Sequence, residues 1–384
     1  MSTVLRSGSQ SDEPTAHAQA LVCVLVPHLE TDDPNLAWYC DFSQSRAEFR
    51  RAFASLGLEW RWQRITLDDR DAVIARLARL ARRRPVTVFN LCDGDERNGV
   101  PGLSVIHALE AAGLRYTGAD APYFDGTTSK IDMKRAFDAA SVPTAVWGVV
   151  EPEGRNAASL FERIGAPLIV KPAVSAGSMG VTTKSVVHST DELRAQMKRL
   201  QHGYHGWDLT TDGVLAERFV SGREYTTFVV GHHDAPSRRL VYAPVERRFN
   251  ERLSAQERFL SFDRLWGMYE VEEPVGGEKD EDLWRYAPVD RREAAELREV
   301  SWAAYAAVGG RGYGRVDLRR DATTGALAVL EVNAQCGLSE DENYTSIGAI
   351  LRFARRPFAH AVQAILSAAG PRARRGQRRR IEAA

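Results

Sequence analysis

Lysine is scarce in these 384 residues. Of 51 basic side chains only six are lysine (Lys130, Lys134, Lys171, Lys184, Lys198 and Lys279), and the rest are arginine. Arginine therefore carries routine surface charge, so each lysine is more informative than usual. Cysteine is scarcer still: Cys23, Cys40, Cys92 and Cys336 stand far apart, without Cys-x-x-Cys spacing. That argues against a zinc site and a dense disulfide framework, and makes a reducing cytoplasm the simplest setting. Net charge is missing too, with 51 basic against 51 acidic side chains. No field then favours nucleic acid or an anionic membrane. No run approaches the roughly 18 apolar residues of a membrane span, and the N-terminus lacks the apolar centre of a secretory signal. Neither an internal repeat nor a Gly-Lys-Ser/Thr phosphate loop is found. The one basic run, "PRARRGQRRR" at 371–380, reads as a solvated tail.

What is present suits a globular chain of two or three domains, with 44% hydrophobic and 27% charged residues. An apolar run at 20–29 predicts a buried strand, and helical spacing at 45–60 with Gly57 as stop predicts a helix. Strand and helix keep alternating to about 120. This predicts an open α/β unit over 20–125 behind a flexible lead-in at 1–19. Beyond it helices and antiparallel strands mix, predicting α+β units at 126–212 and 213–368 and a basic tail at 369–384. Ser189 with Glu192 three residues on is a capping-box pattern. Residues 213–231 read as two strands around a Ser221-Gly222 turn, 232–290 as a long insertion, and 345–369 as one closing helix.

Three stretches carry candidate chemistry. "RVDL" sets Arg315 and Asp317 two apart, and "LEVN" does the same for Glu331 and Asn333. Side chains alternate along a strand, so each pair shares a face. A hairpin joining them gathers an oxygen set that suits Mg²⁺ with waters and phosphate, beside an arginine suited to an anionic intermediate. The same residues also fit a surface salt-bridge cluster. In "PLIVKP", Lys171 ends a strand where Pro172 stops the ladder, and it projects either to a ligand or to solvent. Next to it Ser175, Gly177, Ser178, Met179 and Gly180 form a small-residue loop. Its N–H groups can close over phosphates, or it is an ordinary turn. In "LAERFVSGREY", Glu217 and Glu224 can accept from an adenine amine and ribose hydroxyls, or be exposed hairpin residues.

Taken in order, "TSKIDMKRAF", "PLIVKPAVSAGSMGV", "VLAERFVSGREYTTFVVG", "GYGRVDL" and "VLEVNAQCGLS" resemble the ATP-grasp superfamily, and within it the D-alanine–D-alanine ligase branch. The resemblance runs from about 86 to 338. It implies an ATP-grasp fold of three domains: an open α/β pre-ATP-grasp domain, a small central α+β domain and a C-terminal α+β domain. ATP would lie between the last two. It implies Lys130 and Lys171 on the nucleotide phosphates, the 175–180 loop over them, Glu217, Phe219 and Val220 at adenine, and Glu224 at ribose. Asp317, Glu331 and Asn333 would hold two Mg²⁺ ions, with Mn²⁺ as an alternative, and Arg315 would steady a tetrahedral intermediate. The implied reaction makes an acyl phosphate from a carboxylate and ATP, which an amine then attacks. A homodimer is also implied.

The chain departs from the family pattern in places. Cys336 replaces a proline and itself reads as a small buried hydrophobe. Gly177 stands for a serine. Glu340, Asp341 and Glu342 fall where a second substrate's carboxylate would bind, and acid there is expected to favour an amine or cation. "VPHLETDDPN" and "LCDGDERNG" replace glycine-rich and histidine-glycine loops. Only Lys279, Arg264 and Tyr269 offer themselves for the family's mobile-loop lysine and tyrosine. The expectation is an ATP-dependent carboxylate–amine ligase acting on an amino acid or small peptide in specialised metabolism. D-alanine–D-alanine ligase proper, a kinase-like phosphotransferase and a non-catalytic nucleotide binder are the alternatives. Its partners are small molecules, not nucleic acid or membrane.

Overall fold

The first strand is a continuous apolar run because the centre of a parallel sheet is covered on both faces. The computed structural model describes residues 20–32, 40–175, 177–202, 208–266, 283–343 and 345–369. The expected lead-in 1–19, the basic run 371–380, Tyr269 and Lys279 lie outside them. β1 (Leu21–Pro27) is buried along its whole length. After it α1 (Ser43–Leu56) buries Phe49, Ala52 and Phe53, and Gly57 at φ +63° closes the helix. β2 (Glu59–Ile65), α2 (Arg70–Ala81), β3 (Val86–Asn90), α3 (Leu103–Ala111) and β4 (Arg115–Tyr116) complete a parallel sheet of order β2-β1-β3-β4.

Two short helices, α4 (Ala121–Thr128) and α5 (Lys130–Ala139), lead into the second sheet. Ser129 caps α5, its Oγ accepting from the Asp132 amide. β5 (Trp147–Val150), α6 (Ala157–Ile164), β6 (Leu168–Pro172), β7 (Val186–Val187), α7 (Thr190–His202) and β8 (Val214–Arg218) follow. The strands form an antiparallel sheet of order β5-β8-β6-β7, and α6 and α7 seal its core. At the start of α7 Ser189 accepts from the Glu192 amide, while the Glu192 carboxylate accepts from the His188 amide.

The third sheet holds β9 (Gly222–His232), β10 (Leu240–Val241), β11 (Val245–Phe249), β12 (Trp284–Pro288), β13 (Arg311–Asp321) and β14 (Leu327–Ala334). Its order is β12-β11-β9-β13-β14, with β10 also on β9. Helix α8 (Phe262–Trp266) precedes β12, and α9 (Arg291–Ala307) packs on the sheet. The chain closes with α10 (Ser346–Phe353) and α11 (Phe358–Ala368).

Two local expectations change. Residues 213–231 do not make a hairpin: β8 pairs with β5 and β6, while β9 belongs to the third sheet. Both strands are apolar, and local pattern cannot show that the chain changes sheets between them. Divided by sheets, we propose, the second and third units meet near Phe219–Ser221 rather than at 213. The closing helix is two helices, because Arg355 adopts φ +51° and Pro357 cannot continue the first.

The first and third units share one core. Phe49 and Phe89 meet Phe358 in a run of edge-to-face rings, and Phe228 and Tyr313 join the same cluster. Gln335 clamps the joint: its Nε2 donates to the Cys92 carbonyl at 2.7 Å, and its Oε1 accepts from the Ala119 amide at 3.1 Å. Beside it Gly312, at φ +83°, passes so near the Gly118 carbonyl that a Cβ there would overlap it. Both the left-handed backbone and the close approach demand glycine. Gly312→Ala is therefore expected to destabilise the chain by about 3 kcal/mol in denaturant unfolding. An unchanged midpoint would contradict this packing.

Candidate functional site

The hairpin of β13 and β14 brings the two sequence pairs together. Arg315 lies opposite Asn333 and Asp317 opposite Glu331, and a bulge follows between Asp317 and Leu318. Bulges re-aim side chains and gather beside functional sites. The alternate residues Val316, Leu318 and Val332 are buried on the other face. Arg315 donates to Asp317, Nε to Oδ2 at 3.0 Å. Asn333 Nδ2 donates to Asp317 Oδ2 at 3.0 Å and to Glu331 Oε1 at 3.3 Å. Burial works against the charge on Arg315, but Asp317 beside it holds its pKa above the ordinary value. Burial likewise works against Glu331, yet Lys130 and Arg315 hold its carboxyl below the ordinary range.

The second sheet faces this hairpin with lysines. Lys171, at the end of β6, pairs with Glu217 Oε1 at 2.6 Å. Lys130, at the start of α5, donates to the Ser175 carbonyl at 3.0 Å and its Oγ at 3.2 Å, and lies 4.0 Å from Glu331. Burial lowers the pKa of Lys130, partly restored by Glu331. Glu217 is 1% exposed. Burial alone would raise its pKa, but Lys134 and Lys171 override that and hold it at about 2. Lys130, Lys171, Glu217, Glu331, Asn333, Asp317 and Arg315 thus form a seam of opposed charges between two sheets.

The remaining expected residues flank the seam. Gly177, Ser178 and Gly180 all have positive φ, and Ser178 Oγ donates to the Leu260 carbonyl at 3.0 Å. Met179 is half-buried in the same turn. Phe219 and Val220 are buried; Phe219 meets Phe259 at 6.0 Å between ring centres. Glu224 sits deeper than a strand-end carboxylate exposed to ligand. Arg247 holds one of its oxygens and Arg319 the other, with Arg319 Nη2 at 2.7 Å. Cys336 is buried next to Arg315, and burial pushes its thiol up to about 12. It is a neutral thiol at ordinary pH.

The acidic stretch behaves differently from the expectation. Glu340 pairs with Arg51, and Glu342 with Arg352 at 2.6 Å. Asp341 accepts from Gln44 and from the Asn343 amide. These carboxylates tie a loop to α1 and α10.

Four residues escaped the sequence reading. Lys134 lies one helical turn after Lys130, and lysine scarcity was a signal that could have found it. Thr345 and Ser346, at the N-terminus of α10, have buried hydroxyls without hydrogen-bond partners among the described residues. Asp93 follows β3, and burial raises its carboxyl to about 7. Nothing in the local sequence signals these last three.

Comparison with known proteins places this geometry. Residues 137–349 match the family described as D-ala D-ala ligase C-terminus. The D-alanine–D-alanine ligase of Chromohalobacter salexigens is 30% identical over 270 residues, covering 69% of this chain and 72% of the relative. That of Xylella fastidiosa is 28% identical over 275 residues, covering 70% and 78%. Among solved structures, the D-alanine–D-alanine ligase of Bacillus anthracis complexed with ATP aligns with TM-score 0.60 at 17% identity, over 91% of this chain and 97% of that one. The Coxiella burnetii enzyme aligns with TM-score 0.61 at 14% identity, over 92% and 94%. The fold is that of the ATP-grasp proteins.

Asp93 makes stability depend on pH. Its folded pKa of about 7 exceeds the ordinary aspartate value of roughly 3.9. Between these values the folded chain keeps a proton that the unfolded chain releases, so Asp93 makes stability fall as pH rises from about 4 to about 7. Asp93→Asn removes this slope. Its thermal midpoint is expected to exceed that of the parent at pH 8, with the gain shrinking towards pH 4. A pH-independent difference would contradict this role of Asp93.

Proposed function

Because the chain belongs to the D-alanine–D-alanine ligase family, ATP-dependent enzymes that form carbon–nitrogen bonds, we propose that it joins D-alanine to D-alanine. The observation that carries this reading is the register of β13 and β14. It sets Arg315, Asp317, Glu331 and Asn333 on one face, opposite Lys130 and Lys171. Two findings favour this reading over specialised metabolism. The relatives bear the D-alanine–D-alanine ligase name. Two of the three acids that argued for a cationic second substrate, Glu340 and Glu342, already pair with Arg51 and Arg352.

In this reading the triphosphate lies in the seam. Lys130 and Lys171 face the phosphates, and the Ser175 to Gly180 turn covers them. Glu217, Phe219 and Val220 line the adenine, and Glu224 reaches the ribose by the acceptor capacity its two arginines leave. Asp317, Glu331 and the Asn333 amide would hold Mg²⁺, or Mn²⁺. Two carboxylates and an amide that can turn its oxygen inward fit a hard divalent cation. Among the described residues no cluster of three or more His, Cys, Asp or Glu could hold a metal, so water and phosphate would complete the shell. The bound ion supplies charge neutralisation on the transferring phosphoryl group.

A substrate carboxylate oxygen attacks the γ-phosphorus, ADP leaves, and an acyl phosphate results. The second substrate's amine then attacks the acyl carbon. Arg315 steadies the oxyanion until phosphate departs and the amide forms. The unpaired Thr345 and Ser346 hydroxyls and the N-terminus of α10 suit the carboxylate of the second amino acid. Small amino acids are the only partners this reading requires, and assembly as a homodimer in the cytoplasm belongs to the same proposal. No helix among the described residues is long and apolar enough to cross a membrane.

Incubation with Mg-ATP and D-alanine is expected to release ADP and give a product one water lighter than two D-alanines by mass spectrometry. Arg315→Ala is expected to lower kcat by roughly 10²–10³-fold. A product from another amino acid pair alone would restore the specialised reading. A phosphorylated amino acid formed without an amine would turn the protein into a phosphotransferase.

A further inference from the structure

Lys134 is 1% exposed, and among the described residues no other lysine is as deeply buried. Its Nζ pairs with Glu217 Oε2 at 2.6 Å and donates to Thr144 Oγ1 at 2.5 Å and the Val329 carbonyl at 3.2 Å. An ammonium group has three donors: two go to Thr144 and Val329, and the group is ion-paired with Glu217 besides. Buried and saturated, Lys134 has nothing left for a substrate. Whatever it does, it does through its partners.

Those partners belong to different units. Glu217 ends β8 of the second sheet, and Val329 lies on β14 of the third. Thr144 lies between them, its hydroxyl donating to the Val329 carbonyl at 2.9 Å, and the Val329 amide donates to Pro143. One buried ammonium therefore ties the strand bearing Glu217 to the strand bearing Glu331 and Asn333.

The charges say more. Glu217 is shared, with Lys134 on one oxygen and Lys171 on the other, both at 2.6 Å. A buried carboxylate keeps hold of whatever cation it has, because leaving it alone is costly. With two cations it can release one. With Lys171 as its sole cation it would not. Lys134 is the inner, fully buried partner, and Lys171 is the outer one, at the crevice.

Resting on the nucleotide reading above, we propose that Lys134 is a positioning residue. It neutralises Glu217 from behind, freeing Lys171 to turn its charge to phosphate, and it holds β8 against β14 while doing so. The consequence is specific: losing Lys134 weakens recognition of phosphates more than recognition of adenosine.

Calorimetric titration with ATP and with adenosine tests this on the full chain. The quantity read is the ratio of the two affinities. Lys134→Met is expected to lower that ratio by about tenfold, the scale of one lost charged contact. Glu217→Gln with Lys134→Met replaces the buried ion pair by neutral groups and keeps the test readable should the single variant fail to fold. Its ratio is expected to match that of Glu217→Gln alone within about threefold, since Lys134 acts through the Glu217 charge. Equal losses for ATP and adenosine in Lys134→Met would leave only a structural tether and overturn the proposal. So would a double variant whose ratio falls well below that of Glu217→Gln. A parent chain that binds adenosine and ATP equally overturns the nucleotide reading itself, and this proposal with it.

Discussion

One buried carboxylate organises the crevice. Glu217 lies where the second unit meets the third, and it stays ionised because lysines stand on both sides of it. Burying an ion is expensive unless it is paired and hydrogen-bonded. The pairing fixes the separation between the second and third sheets at the place where the hairpin face and the 175–180 turn approach each other. The Pro143–Thr144 segment joins β14 beside it through Val329.

The rest of the molecule supports that arrangement. The β13–β14 hairpin has an apolar face inside the third core, so its register is set by burial, and that register puts Arg315, Asp317, Glu331 and Asn333 on the other face. Gln335, two residues past Asn333, fixes the end of the same strand to the first unit through Cys92 and Ala119. The aromatic cluster around Phe49, Phe89 and Phe358 makes that joint a continuous core. A site built on strands anchored at both ends is held more rigidly than one carried on loops.

Much of this was legible in the sequence, for a physical reason. Period-two spacing reports which side chains share a strand face, so the two hairpin pairs could be found before their register was known. The apolar run of β1 and the glycine closing α1 are equally local signals. What could not be read is non-local. The strands at 214–218 and 222–232 look like a hairpin, and only tertiary pairing shows that they join different sheets. The Glu340 to Glu342 carboxylates look free in sequence, but Arg51, nearly three hundred positions away, takes one of them. Lys134 was legible as a rare residue, though not as a buried one.

The most direct test is a crystal structure with a non-hydrolysable ATP analogue and Mg²⁺. The account predicts the triphosphate between Lys130 and Lys171 on one side and the β13–β14 face on the other. It also predicts metal on Asp317 and Glu331, and Lys171 turned from Glu217 towards phosphate. A nucleotide bound elsewhere, or a metal that leaves Asp317 and Glu331 paired only with protein, would contradict it.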